Sequence, residues 1–543
     1  MTYLDVFSCE WRKGDVAVFD GMIVGVDADL AGLRCARTEN ASGKWLVPGF
    51  IDAHVHLESS LLTPRHFEKA VLPCGTTSAI CDPHELANVQ GISGIRYFLD
   101  RAEGLNLDLW VMLSSCVPAT LLETNGGGTI GADQLASLQT RGKALGLAEM
   151  MNMPGVTGGD PEVLEKLRRF EGRPVDGHCP LLRGQALSAY ATAGITSCHE
   201  SSERAEAAEK LTKGISVWIR EGSVAKDLEA LAPLLTLKTS TSIGFCTDDR
   251  NPLDILTEGH IDYLVRETLR RGFVEPEVAY RSASWTVARH YGLDRVRRGS
   301  GRIGAIAPGY QADLVLLSDA RSVAIDRVIK AGRFVGEIDS PAENAGAFPN
   351  SIRATAPAPS ELEGPKGNVH AIRVIEGKII TGHEVLAHDA PGVAKLSVLE
   401  RYGHGSRPAN GYVLGFGAGM RGAIASSVGH DSHNLIVVGD RADDMSAALA
   451  SLIEVGGGFS VVRDGKILAR LALPLGGLMS REEPSSLKTT LIELKEASRQ
   501  IGCVLAEPFL QLAFLSLPVI PALKLTDRGL VDVDQFRIID VRA

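Results

Sequence analysis

The sequence predicts an α/β protein built on a (β/α)8, TIM-like barrel, with a small β-sandwich domain formed by both flanks and a C-terminal α+β domain. Three observations lead there. Short apolar runs alternate with amphipathic helical stretches between about Pro48 and Gly301. β-type segments bracket that middle on both sides. A Pro-rich stretch then separates it from a second α/β region.

The middle supplies eight strand candidates: Phe50–His56, Ser78–Asp82, Leu109–Ser115, Ala144–Glu149, Pro174–His178, Ile195–His199, Ile215–Arg220 and Ser242–Asp248. Amphipathic runs such as Pro161–Phe170 and Ser202–Leu211 lie between them. Eight strand-then-helix units in about 250 residues match the size of a closed parallel barrel. On the N-terminal flank, Val16–Phe19 and Met22–Val26 surround Asp20-Gly21, a strong hairpin turn. On the other flank, Ala312–Leu317 and Val328–Arg333 follow the Pro308-Gly309 turn. The expected division is therefore 1–47 with 302–340 as the small β domain and 48–301 as the barrel. A linker over 341–367, carrying Pro341, Pro349, Pro357, Pro359 and Pro365, leads to the C-terminal domain at 368–543. There, Ile372–Glu376 and Lys378–Thr381 read as a hairpin around Gly377, Leu435–Val438 as a strand and Ala442–Ile453 as a helix.

Composition excludes several classes. Of 543 residues, 45% are hydrophobic and 22% charged, a globular balance. The net charge of −10 disfavours nonspecific binding to nucleic acid or anionic membrane. The nine cysteines are scattered without a CxxC pair, which fits a reducing cytoplasm rather than a disulfide framework. The start lacks a signal-peptide pattern, and no run approaches the ~20 apolar residues of a membrane span.

The chemistry concentrates at strand ends. His54 and His56 stand two apart in a strand, so both imidazoles face one side and can grip one cation. Glu149, His178, His199 and Asp248 each close another strand candidate, and in a barrel those ends share one mouth. Three or more histidines with a bridging-type carboxylate describe a pair of divalent ions, which can turn water into a nucleophile at neutral pH. Asp248 is the candidate proton carrier. Asp82-Pro83-His84-Glu85 ends the second strand, with Glu85 a candidate general acid toward a ring nitrogen. Asp82 and Ser115 are candidate substrate-binding residues alongside it. Cys179 and Cys198 lie next to His178 and His199, but strand alternation points their thiols away from the ligand faces.

The chain resembles the amidohydrolase superfamily, and within it the microbial adenine deaminases. The resemblance rests on Pro48 through Ser60, on Cys81-Asp82-Pro83-His84-Glu85 and on Glu149-Met150-Met151-Asn152. It extends to Asp176-Gly177-His178, Thr247-Asp248-Asp249-Arg250 and, near the C-terminus, His430-Asp431-Ser432-His433-Asn434 and Leu515 to Pro521. It implies hydrolysis of adenine to hypoxanthine and ammonia in purine salvage, by a metal-bridging hydroxide attacking C6. It implies two divalent metal ions, manganese first, with iron or zinc as alternatives. His54 and His56 would bind one ion, His178 and His199 the other, with Glu149 bridging and Asp248 both binding metal and shuttling the proton. It also implies a cytoplasmic homodimer whose partners are adenine and water. One departure is Cys198, where the family usually has an aspartate before the histidine. Two rivals stand beside this reading. One is a cyclic amide or imide hydrolase, which would usually carry lysine in place of Glu149; the other is a noncatalytic purine-binding relative. His430 and His433 are left without an assigned role.

Overall fold

The computed structural model describes residues 1–26, 33–295, 301–339, 342–343, 346–405 and 407–543. Its centre is an eight-stranded parallel sheet in strictly sequential order. The strands are β1 (Phe50–Val55), β2 (Thr76–Cys81), β3 (Asp108–Leu113), β4 (Ala144–Met150), β5 (Val175–Gly177), β6 (Ser197–Cys198), β7 (Ser216–Arg220) and β8 (Ile243–Cys246). All eight fall within or beside the expected segments. Their residues are almost wholly buried, as strands covered on both faces must be.

The cylinder closes where β8 meets β1. Val55 bridges Asp248 in parallel, the Asp248 amide donates to the His54 carbonyl at 3.0 Å, and the His56 amide donates to the Asp248 carbonyl at 3.2 Å. Asp248 makes this seam with a left-handed φ of 55°, a conformation that costs an ordinary side chain about 1 kcal/mol or more.

Both flanks of the barrel join one six-stranded sheet. Trp45–Pro48 pairs with Leu314–Asp319 on one side and Thr2–Asp5 on the other, and Glu10–Lys13, Ala324–Lys330 and Arg333–Phe334 extend it. The hairpin Val16–Phe19 and Met22–Val26 turns on Asp20 and Gly21, both at positive φ, and forms its own two-stranded sheet. Where flank meets barrel, buried Lys330 bridges Asp108 at 2.6 Å and Asp313 at 2.7 Å.

Downstream lies a second eight-stranded sheet, in the order Thr381–Ala387, Asn368–Val374, Ala409–Leu414, Val393–Leu399, Leu435–Gly439, Ala423–Ser426, Gly458–Arg463, Lys466–Ala472. Helices Ala442–Val455 and Pro484–Gln500 pack on it, and Leu523–Thr526, Gly529–Asp532 and Arg537–Ile539 form a small sheet beside it. The hairpin near Gly377 has a wider turn than its sequence suggests. Its strands are Asn368–Val374 and Thr381–Ala387, because Thr381 is pinned at the start of the second strand by bonds to Pro521 and Leu523. The Pro-rich stretch is laid against this region, with Ile352 and Leu362 buried; Pro341 lies outside the described residues. Among the described residues, no helix is long and apolar enough to cross a membrane.

Candidate active site

The barrel mouth collects His54, His56, Glu149, His178, His199 and Asp248. His54 and His56 present their Nε2 atoms 3.1 Å apart, as strand alternation requires. Asp248 Oδ1 lies 3.6 Å from His54 Nε2 and 3.2 Å from His56 Nε2. Across the mouth, the carboxylate of Glu149 has two distinct sides. Oε1 faces His56 Nε2 at 3.3 Å, and Oε2 faces His178 Nδ1 at 2.7 Å and His199 Nε2 at 3.3 Å. His54 and His199 stack with centroids 3.9 Å apart, which brings the two pairs together.

This donor set suits divalent cations. Four imidazoles and two carboxylates, all buried, converge on one space, and ligand atoms around an ion at about 2.1 Å are naturally a little over 3 Å apart. The His178 Nε2 atom is buried without a hydrogen-bond partner. His56 is oriented from behind: its Nδ1–H donates to the Asp82 carbonyl at 2.9 Å, leaving the Nε2 lone pair for the mouth. Burial alone would raise the carboxyl of Glu149, but His178, His199 and His56 hold it well below the ordinary range. Asp248 is likewise held low against burial, by His54, His56, His199 and Arg220.

The mouth opens into a small cleft. Glu85 lines it. Asp82 and Ser115 stand behind its wall: Asp82 accepts from Ser114 Oγ at 2.7 Å and pairs with His84 Nδ1 at 3.1 Å, while Ser115 Oγ donates to the Glu149 carbonyl at 2.6 Å. Cys179 and Cys198 face each other at 3.5 Å on the far side of their strands, near Lys210 Nζ, and take no part in the mouth.

Three groups complete the site beyond those singled out from sequence. His84, given no role of its own from sequence, places Nδ1 3.2 Å from Glu149 Oε1 and opens the short helix after Pro83. Arg220, the last residue of β7, sends its buried guanidinium to Asp248 Oδ2 at 2.9 Å, to Asp227 Oδ2 at 3.1 Å and to Glu200. Its position at a strand end was a usable signal, as was that of Glu200 directly after His199. The third group is the roof. Ile379, His430, Asp431, Phe514 and Leu517, all from the C-terminal region, line the same cleft. His430 Nδ1 lies 2.6 Å from Glu85 Oε1, and His433 Nε2 touches Glu85 Oε2.

Comparison with known proteins adds the following. Residues 45–335 match the model of the amidohydrolase family, and residues 373–537 match that of the adenine deaminase C-terminal domain. An adenine deaminase of Brucella suis is 46% identical over 554 residues, spanning 99% of this chain and 93% of the relative. One of Methylobacterium nodulans is 49% identical over 558 residues, spanning 99% and 95%. Among solved structures, dihydropyrimidinase from Brevibacillus agri aligns over 62% of this chain and 93% of its own, at 16% identity and a TM-score of 0.47.

Proposed function

Because the chain belongs to the amidohydrolase family, and within it to the adenine deaminases, we propose that it hydrolyses adenine to hypoxanthine and ammonia. The observation that carries this reading is the two-sided carboxylate of Glu149 between two histidine pairs, under a roof drawn from the segment matched to the adenine deaminase C-terminal model.

His54 and His56 would hold one divalent ion and His178 and His199 the other, with Glu149 shared and Asp248 completing the set. Manganese is the metal proposed, with iron or zinc as alternatives. Such ions, when bound, lower the pKa of water from 15.7 toward about 7. Asp248, at the floor of the cleft and fixed by Arg220, accepts the proton of the water that attacks C6 and returns it to the departing amine. Glu85 faces the ring nitrogen beside C6 and assists there; burial alone would raise its carboxyl, but His430, His433 and His84 hold it well below the ordinary range. Asp82 and Ser115 act on that surface from behind, Asp82 by holding His84 and Ser115 by holding the carbonyl of Glu149. The apolar roof residues Ile379, Phe514 and Leu517 suit a flat heteroaromatic base. The chain division at 1–47 with 302–340, 48–301, the 341–367 linker and 368–543 belongs to the same reading. So do a cytoplasmic homodimer and a place in purine salvage.

The test is turnover by metal-replete protein on adenine, adenosine, guanine and dihydroorotate. Equimolar hypoxanthine and ammonia from adenine are expected. Turnover of the cyclic amide without adenine would replace this reading with that of an amide hydrolase, and adenine binding without turnover would mark a noncatalytic relative.

A further inference from the structure

The buried loop between Ala423–Ser426 and Leu435–Gly439 carries His430 into the roof of the cleft and His433 beside it, where their rings meet the two oxygens of a single carboxylate. That carboxylate, Glu85, belongs to the barrel.

The loop is built to hold these rings still. The His430 amide donates to the Ala513 carbonyl at 3.1 Å, Ser516 Oγ donates to the His430 carbonyl at 3.2 Å, and the ring stacks on Phe514 at 4.8 Å. His433 keeps a left-handed φ of 54°, with its amide bonded to the Gly429 carbonyl at 2.6 Å. Asn434 Nδ2 ties the loop to the barrel by donating to the Thr124 carbonyl at 2.9 Å.

The protons can be placed. The Gly429 amide donates to His433 Nδ1 at 3.3 Å, so that nitrogen holds a lone pair and the proton sits on Nε2, against Glu85. His430 meets the other oxygen through Nδ1, and a carboxylate can only accept. In the structure these contacts are close but not aligned as hydrogen bonds, as is common in enzymes without substrate, where such bonds tighten in the complex.

We propose that His430 and His433 are positioning residues for deamination: a pair of donors from the C-terminal region that fix the carboxylate of Glu85 in the orientation from which it serves the substrate ring. This rests on the reading of Glu85 as the group facing that ring. It gives the C-terminal region a direct part in the chemistry.

The experiment replaces each donor with and without preserving its position. His430→Leu and His433→Leu are expected to lose roughly 100-fold in kcat, the lower end of what a placed proton-transfer group contributes, with KM and metal content little changed. Asparagine mimics a donor at Nδ1 and glutamine one at Nε2, so His430→Asn and His433→Gln restore most of the loss, and His430→Gln and His433→Asn do not. Because both act through Glu85, adding His433→Leu to Glu85→Gln costs no further activity. Additive losses, loss of metal, or equal rescue by both amides would overturn the proposal. The ring nitrogens of His433, followed by ¹⁵N NMR of the metal-replete protein, should report the Nε2–H tautomer, and the Nδ1–H tautomer would also overturn it. Activity of the parent on adenine tests the functional reading itself. If the parent prefers another substrate, the same ratios are read on that substrate, and the tautomer is read in either case.

Discussion

Replacing Arg220 by methionine removes a cation that three buried carboxylates share. Arg220 is 2% exposed and contacts Glu200, Asp227 Oδ2 and Asp248 Oδ2. Burial alone would lower the pKa of the guanidinium, and the three acids together hold it well above its ordinary value. Methionine fills a similar volume but leaves the acids facing one another without a counter-charge. Breaking a buried ion pair costs about 3–5 kcal/mol, most of it the penalty of the abandoned partner. In a chain of this length that is a fall in apparent Tm of roughly 3–4 °C. Catalysis should fall as well, because Asp248 loses the fork that fixes Oδ2, and a displacement of about 1 Å at a reacting group costs on the order of 100-fold. Arg220→Lys, which keeps charge but not the fork, should recover much of the stability and less of the rate. Differential scanning fluorimetry and steady-state kinetics on metal-replete protein give both numbers. A methionine variant within ~1 °C and about threefold of the parent would show that the carboxylates are balanced by something other than Arg220.

Three further outcomes can be measured. Chelation should remove about two divalent ions per chain and all deaminase activity, with both restored together by manganese; full activity at one equivalent would contradict a shared pair. Glu149→Gln, which cannot offer an anionic oxygen to each side, should weaken metal binding by at least about 100-fold, read as metal content after dialysis; retention of both ions would remove Glu149 from its bridging place. Lys524 is buried and donates to the carbonyls of Ile379 at 2.8 Å and Phe514 at 2.9 Å, and burial pushes its pKa down to about 7. The unfolded chain keeps that proton up to about pH 10.4, so between these values the unfolded state binds more protons and the side chain's contribution to stability grows as pH rises. The stability gap between the parent and Lys524→Met, from urea denaturation, should therefore widen from pH 7 to pH 9, and a gap independent of pH would count against a depressed amine.

The barrel could be read from sequence because its strands are short apolar runs punctuated by helices, and the site because a parallel barrel brings every strand's C-terminal end to one mouth. His54, His56, Glu149, His178, His199 and Asp248 share that address, and residue type made them visible. The outward orientation of Cys179 and Cys198 followed from alternation alone. His84 escaped because it begins a helix, where the two-residue period no longer applies. Arg220 escaped because a cation does not look like a metal ligand, although its strand-end position is the same. The roof was the least legible part. His430 and His433 stood out as a motif, but their meeting with Glu85 depends on how a distant sheet docks over the barrel, and local spacing carries no information about that.

Asp248 has one backbone and two duties. Its amide and carbonyl stitch the last strand to the first, and its side chain faces the histidines. A φ of 55° is comfortable for glycine and tolerable for aspartate or asparagine, and a longer or branched residue pays for it in strain. Among those occupants only aspartate carries a negative charge. The closure of the cylinder thus favours aspartate over glutamate here, independently of reactivity. A designer wishing to lengthen that acid would first have to redraw the seam.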